Sequence, residues 1–144
     1  MNSVDPYNLE RFVTAQRMSF DSALDEIRNG HKRSHWMWFI FPQFAGLGHS
    51  SRSIKYSIKS VAEAKAYLTH DLLGPRLLEI ARATLAVDGR SALEIFGAPD
   101  DVKLQSCATL FAQVSPNDSA FHALLGKYFD GQMDVRTLQL MDDR

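Results

Sequence analysis

The residues best suited to chemistry in this sequence lie in one short run, residues 33–38, that contains two tryptophans. Its histidine, His35, ionises near neutral pH and is therefore the candidate catalytic residue, as a general acid or base. The indole of Trp36 or Trp38 could line a pocket and stack on the ring of a base or sugar. Alternatively, both indoles belong to the hydrophobic core, where each N–H needs a hydrogen-bond partner.

A cationic stretch surrounds the two tryptophans. No carboxylate occurs in the 36 residues between Glu26 and Glu63, which contain six lysines and arginines. The rest of the chain carries 10 basic and 17 acidic residues. Because like charges repel, this stretch calls for something anionic nearby: an acidic face of the same domain, or a ligand that carries phosphate or carboxylate. If a ligand is bound, Lys32, Arg33 and Arg52 are expected to hold the anion.

Two further segments supply candidate ligand-binding residues. The loop Gly46-Leu47-Gly48-His49-Ser50 leads into a predicted helix, and free amides at a helix start bind anions. It lacks the third glycine and the preceding strand of a dinucleotide-binding motif, and a plain loop with two glycines in turns is the alternative. On a later predicted helix, Asp100, Lys103 and Ser106 form a polar strip that faces either the pocket or solvent. The predicted ligand-binding residues are Lys32, Arg33, Trp36, Trp38, Gln43, Gly46, Gly48, Ser50, Arg52, Asp101, Lys103 and Ser106.

Other catalytic chemistries fit the sequence poorly. His31 and His35 have the spacing of metal ligands on a helix, but two cations lie between them and no third ligand is nearby, so no metal site is predicted. Ser34 and His35 are adjacent, and adjacent residues of a helix point about 100° apart, which excludes a nucleophile–base pair. Cys107 lies on an apolar helix face and is predicted to be a core residue. No cofactor is predicted.

Helices must position these residues, because nearly every segment has the apolar spacing of an amphipathic helix. Ser60 and Ser91 each precede a glutamate by three residues, which predicts capping boxes at two helix starts. Residues 35–41 form an apolar run that fits a buried helix capped by Ser34 and ending near Pro42, whereas a strand here would lack a partner. We therefore expect one all-α domain over residues 1–144, with its core at about residues 8–130 and about seven or eight helices.

Composition and charge exclude several classes of protein. The 144 residues are 45% apolar and 23% charged, which is typical of one globular domain and excludes a disordered or collagen-like chain. The one cysteine excludes an intrachain disulfide, no apolar run approaches the roughly 20 residues that cross a bilayer, and the residues after Met1 do not form a signal peptide. These features predict a cytoplasmic location without membrane contact. A sequence pI near 6.5 argues against nucleic acid as the partner.

One string in the sequence resembles a known family. Residues 32–43, Lys-Arg-Ser-His-Trp-Met-Trp-Phe-Ile-Phe-Pro-Gln, are similar to the signature of the bacterial family named domain of unknown function 1810. The segments Gly46-Leu47-Gly48, Leu73-Gly74-Pro75-Arg76-Leu77 and Ile95-Phe96-Gly97 fit the same family, and the match runs from about Leu9 to Phe129. The resemblance implies a mainly α-helical fold and no established activity. Members are often labelled calpastatin, but the chain contains none of that inhibitor's short protease-binding repeats.

Together, these features favour a helical protein that binds, and in a further step hydrolyses, a phosphorylated or nucleotide-like small molecule. A tryptophan would stack on the ligand, and Asp101 with Lys103 would complete the pocket. The alternative is a regulatory module without catalytic activity, whose basic face binds an acidic protein partner or a second copy of the chain. The sequence does not decide between an enzyme and a binding protein. The position of the tryptophans separates the two, because a pocket needs an indole edge that lines it and an interaction surface needs an exposed patch.

Overall fold

The computed structural model describes residues 4–143, and within this range the backbone forms ten α-helices. In chain order they are α1 (Glu10–Gln16), α2 (Phe20–Arg28), α3 (Met37–Ile40), α4 (Ser51–Lys55), α5 (Val61–Thr69), α6 (Leu73–Leu85), α7 (Ala92–Phe96), α8 (Asp100–Ala112), α9 (Ala120–Phe129) and α10 (Val135–Asp142). The described range contains one isolated parallel bridge, between Phe44 and Ile58, and no β-strand. The predicted all-α single domain is therefore confirmed. The helix count exceeds the prediction because α3, α4 and α7 are short helices of four or five residues.

The two ends of the sequence lie outside this description. Residues 1–3 and 144 are not described, so the outer limits of the domain and the inference from the residues after Met1 stay predictions. Among the helices of residues 4–143, none is both long enough and apolar enough to cross a membrane.

Helix α8 lies at the centre of the core. Eight of its 13 residues are buried, including Cys107, and it packs against α7, α9 and α10. Helix α6 packs against α2, α5 and α9 through an apolar stripe that includes Leu77 and Ile80. Burial raises the pKa of the Cys107 thiol, and the prediction that this cysteine is a core residue is confirmed.

A serine is the N-cap of both helices for which capping boxes are predicted. At α7, the Ser91 hydroxyl accepts from the backbone N–H of Glu94, whose carboxylate accepts in return from the Ser91 N–H at 2.8 Å. At α5, the Ser60 hydroxyl accepts from the Glu63 N–H at 3.0 Å, but the Glu63 carboxylate accepts from the residue before Ser60. The box is incomplete there because the guanidinium of Arg11, 2.7 Å away, draws that carboxylate into the interior.

The apolar run around the tryptophans is less helical than predicted. Only Met37–Ile40, α3, is helical, so the predicted helix over residues 35–41 is wrong in length. Ser34 does not cap it, because its N–H and its hydroxyl both donate to the carboxylate of Glu26. The chain from Arg33 to Trp36 bends around that carboxylate, and a helix can begin only after this bend.

Candidate functional site

The carboxylate of Glu26, near the end of α2, holds the tryptophan run in place. Its Oε1 accepts from the N–H groups of Arg33 at 2.7 Å and Ser34 at 2.9 Å, and from the indole N–H of Trp36 at 3.0 Å. Its Oε2 accepts from the Ser34 hydroxyl at 2.7 Å. Burial of the carboxylate raises its pKa, but these donors outweigh burial and lower the pKa to about 2. Glu26 is therefore ionised at neutral pH and fixes the path of residues 33–36.

Trp36 is a core residue. It is 1% exposed, and its ring packs against Phe41 and Phe96 with centroid distances of 6.3 and 6.4 Å. Its indole N–H is satisfied by Glu26. This corrects the expectation that Trp36 could stack on a ligand, because almost none of its surface reaches solvent.

Lys32 serves an internal partner. Its Nζ lies 2.9 Å from Oδ2 of Asp100 and 4.9 Å from the centroid of the Trp36 ring, and it donates to the carbonyl of Ser34. Only 7% of the side chain is exposed. Asp100, at the start of α8, thus supplies part of the negative charge that the cationic stretch calls for, as expected for an acidic face of the same domain. The expectation that Lys32 holds a ligand anion is corrected accordingly.

Trp38 is half-buried and lies where two cations from separate helices meet. The Cζ of Arg52, on α4, is 5.1 Å from the centroid of its ring, and the Nζ of Lys103, on α8, is 5.4 Å from it. Lys103 Nζ also lies 3.4 Å from Oδ1 of Asp100. Within residues 4–143, neither the Arg52 guanidinium nor the Trp38 indole N–H makes a hydrogen bond or an ion pair. We call Trp38, Arg52 and Lys103 the Trp38 cluster.

The Trp38 cluster combines an aromatic surface with positive charge. A cation over an aromatic ring contributes about 0.5–1 kcal/mol at an exposed site and about 2 kcal/mol when desolvated. Because Arg52 is exposed, its contact with the half-buried Trp38 ring is weak enough for a ligand to displace it. A displaced guanidinium presents a fork of donors that matches the geometry of a phosphate or carboxylate. The cluster therefore offers two kinds of surface, an aromatic face that suits a flat ring and donors that suit an anionic group.

Backbone conformation and close packing explain why glycines occur in the loop before α4. Gly46 has a φ of +105°, a conformation that favours glycine, and a Cβ added there would lie 3.0 Å from a side chain of α10. A Cβ added to Gly48 would lie 2.4 Å from the Cβ of Ser53. Ser50 is the N-cap of α4, and its hydroxyl accepts from the Ser53 N–H at 3.1 Å. These residues position α4, and with it Arg52, and none of them needs a bound anion to explain it.

Two other predicted residues also have internal partners. The backbone carbonyl of Gln43 accepts from the N–H of Ile58 at 2.9 Å, which closes the bridge beside α3. Ser106 is buried, and its Oγ lies 3.2 Å from both the Val102 carbonyl oxygen and Oδ2 of Asp134. Ser106 therefore supports the framework around the cluster, whereas the side chain of Gln43 makes no hydrogen bond with residues 4–143 and its binding role stays a prediction.

Asp101, in the first turn of α8, has a buried carboxylate oxygen whose hydrogen-bond partner is not accounted for. Its Oδ1 is buried without a hydrogen-bond partner, and it is the one such side-chain atom in the part of the chain that the structure describes. An unsatisfied buried acceptor costs about 1–3 kcal/mol. No contact in the described part of the chain places this oxygen beside the Trp38 ring, so the predicted binding role of Asp101 stays a prediction.

His35 and Arg33 are exposed. Their side chains make no hydrogen bond or ion pair with any residue from 4 to 143. No carboxylate in this range orients the imidazole of His35, so its catalytic role stays a prediction.

Sequence reasoning missed Glu26 and the pairing of Asp100, the two carboxylates that organise the site. Glu26 anchors the tryptophan run, and Asp100 pairs with Lys32 and Lys103. The available signal for Glu26 is that it is the last carboxylate before the cationic stretch. The only available signal for Asp100 is its place in the polar strip of the later helix.

The fold and the anchored tryptophan run define the class of protein: a single all-α domain whose signature string wraps around an ionised glutamate. The chain belongs to the family described as protein of unknown function (DUF1810), whose model matches residues 6–141, and the resemblance seen in the sequence is thereby confirmed. It is similar to the crystal structure of the conserved hypothetical protein Rv1873 from Mycobacterium tuberculosis, with 52% sequence identity and a TM-score of 0.94. That similarity covers 96% of this chain and 99% of the other. No curated protein matches the sequence.

Proposed function

We propose that the protein binds a phosphorylated or nucleotide-like small molecule at the Trp38 cluster, and that it does so in the cytoplasm. The observation that supports this is the meeting of Arg52 and Lys103, from distant parts of the chain, at one half-buried indole. Positive charge gathered beside an aromatic ring is the combination that a ring bearing phosphate requires.

In the bound state, the ring of the ligand takes the place of the Arg52 guanidinium over Trp38. The phosphate then binds the guanidinium and the ammonium of Lys103. Arg52 is able to move because it has no other polar partner in residues 4–143, whereas Lys103 keeps its contact with Asp100. The free indole N–H of Trp38 supplies a donor for a polar group of the ligand.

Hydrolysis of the ligand requires a general acid or base, and His35 is the residue we propose for it. It lies in the segment that Glu26 fixes, one residue before Trp36. His35→Gln removes the proton-transferring group and retains a polar side chain, so turnover is expected to disappear without loss of stability. Unchanged turnover in this variant would exclude His35 from the role.

Binding is tested by tryptophan fluorescence and thermal unfolding with AMP, ADP, ATP and sugar phosphates. Trp36 is sealed in the core, so quenching by a ligand is expected to come from Trp38 and to vanish in Trp38→Phe. Saturation at 100-fold over Kd adds about 2.7 kcal/mol, which raises Tm by several degrees for a domain of this size. Arg52→Gln is expected to weaken binding at least tenfold. Arg17→Gln, an equal loss of charge at an exposed arginine, is the control and is expected to have no effect.

The proposal is overturned if none of these compounds quenches fluorescence or raises Tm. An increase in Tm with acidic peptides in place of nucleotides and sugar phosphates would instead support the regulatory interaction module. Retention of quenching in Trp38→Phe would show that the ligand binds elsewhere and would likewise overturn the assignment to the Trp38 cluster.

A further inference from the structure

A surface groove of about 410 Å³ lies between the segment before α1 and the connection from α4 to α5. Arg11, on α1, forms one side of its floor and is 8% exposed at the side chain. All five N–H groups of its guanidinium face acceptors at 2.7–2.8 Å, namely the carbonyl oxygens of Tyr7, Asn8, Lys55 and Ser57 and the carboxylate of Glu63. Arg11 thus ties together the three segments that form the groove and has no donor left for a ligand.

The one acidic residue of the groove is already neutralised. Glu63 is 3% exposed at the side chain, and its Oε2 pairs with Arg11 at 2.7 Å. Its Oε1 accepts from the backbone N–H of Lys59 at 3.0 Å. A carboxylate with a cationic partner and an amide donor does not attract a further cation, so the groove is not a metal site.

The cations at the sides of the groove have no anionic partner. Lys55 and Lys59 both line it, and neither makes an ion pair with any residue between 4 and 143. The Nζ of Lys55 lies 5.3 Å from the centroid of the Tyr56 ring, and that of Lys59 lies 3.3 Å from the carbonyl oxygen of Ser57. The hydroxyl of Tyr7, a third lining residue, also makes no hydrogen bond in this range. The groove therefore presents two uncompensated positive charges and a free hydroxyl donor.

We infer that this groove is a second binding site, for the phosphate group of a small molecule. Two ammonium groups match the double negative charge of a phosphate monoester, and the Tyr7 hydroxyl supplies a further hydrogen bond to one of its oxygens. The rigid Arg11–Glu63 pair forms the floor, so the site exists before the ligand arrives. The site is separate from the Trp38 cluster and does not depend on the function proposed for it.

The inference is tested with pyrophosphate, at constant ionic strength, by ¹H–¹⁵N NMR titration of the whole chain. We expect saturable shifts in the backbone amides of residues 55–63. Lys55→Gln and Lys59→Gln are each expected to weaken binding at least tenfold, since each removes one charge-assisted contact. Lys65→Gln makes the same change at an exposed lysine of α5 that lies outside the groove, and it is expected to leave the affinity unchanged.

Three results would overturn the inference. One is a shift that rises linearly without saturation, which indicates non-specific screening by the anion. Another is an equal affinity in wild type and in both groove variants. The third is a saturable shift confined to the Trp38 indole and lost in Arg52→Gln, which would assign phosphate binding to the Trp38 cluster alone. Because all three lysines are exposed, an unchanged Tm in each variant verifies that the comparison is made on folded protein.

Discussion

Replacing Glu26 with glutamine should expose how much of the fold depends on one ionised carboxylate. Four hydrogen bonds converge on it, from two backbone N–H groups, the Ser34 hydroxyl and the buried indole of Trp36. Glu26→Gln keeps the shape of the side chain and one carbonyl oxygen, so the donors retain a neutral acceptor. What the variant removes is the negative charge that strengthens each of these bonds.

The pKa of Glu26 gives the magnitude. It falls from 4.5 to about 2 because the donors outweigh the effect of burial. At about 1.4 kcal/mol for each pKa unit, the ionised form stabilises the fold by about 3 kcal/mol, and solvent screening of the partly exposed carboxylate lowers this to about 2 kcal/mol. A folded pKa below the unfolded value means that this stabilisation is complete above pH 4.5 and disappears as the pH falls towards 2.

The assay is urea unfolding of wild type and Glu26→Gln at neutral pH and at several pH values below 4.5. We expect the variant to be less stable at neutral pH, and we expect the difference to close as wild-type Glu26 takes up a proton. Glu79→Gln is the matched control, because Glu79 is half-exposed and pairs with Arg28 at 3.7 Å, so its loss should cost less than about 1 kcal/mol. Equal stability of Glu26→Gln and wild type at neutral pH, or a difference that does not change with pH, would refute the reasoning.

Two further predictions concern stability and are checked by the same unfolding measurements. Arg11→Met should destabilise the fold by about 3–5 kcal/mol, since it leaves the Glu63 carboxylate buried without its cation. Arg11→Met with Glu63→Leu should recover only the part due to the unpaired carboxylate, because the four carbonyl groups that Arg11 binds still lose their donors. No recovery in the double variant would contradict this account. Gly48→Ala should destabilise by about 1–3 kcal/mol because its Cβ overlaps Ser53, whereas Gly126→Ala, in open space on α9, should stabilise by about 0.5–1 kcal/mol. The opposite order of these two glycine variants would show that the packing before α4 is looser than the structure indicates.

Features that depend on local sequence were predictable. The capping box at Ser91 involves residues three apart, and it forms as predicted. The helical periodicity of α6 and α8 likewise led to the right class of fold. Where a distant group competes, local patterns mislead: Glu63 has the spacing for a capping box, but Arg11, 52 positions earlier, takes its carboxylate.

The fate of the two tryptophans could not be predicted, because it depends on which helix covers each ring. Trp36 is enclosed by Phe96 of α7, and no pattern near residue 36 indicates that contact. Trp38 stays half-exposed between Arg52 and Lys103, which the sequence placed in separate segments. The ion-pair partner of Lys32 could not be predicted for the same reason, since it is Asp100, a residue from a distant helix. Contacts of this kind follow from the packing of the whole domain.

The most direct test of the Trp38 cluster is an NMR titration of the two indole N–H signals with AMP. The Trp36 signal is an internal reference, because its N–H is buried and bound to Glu26. We predict a saturable shift of the Trp38 indole signal and a stationary Trp36 signal. If neither indole signal moves in titrations with AMP, ADP and sugar phosphates, the claim that this indole and its two cations bind a phosphorylated ring is contradicted.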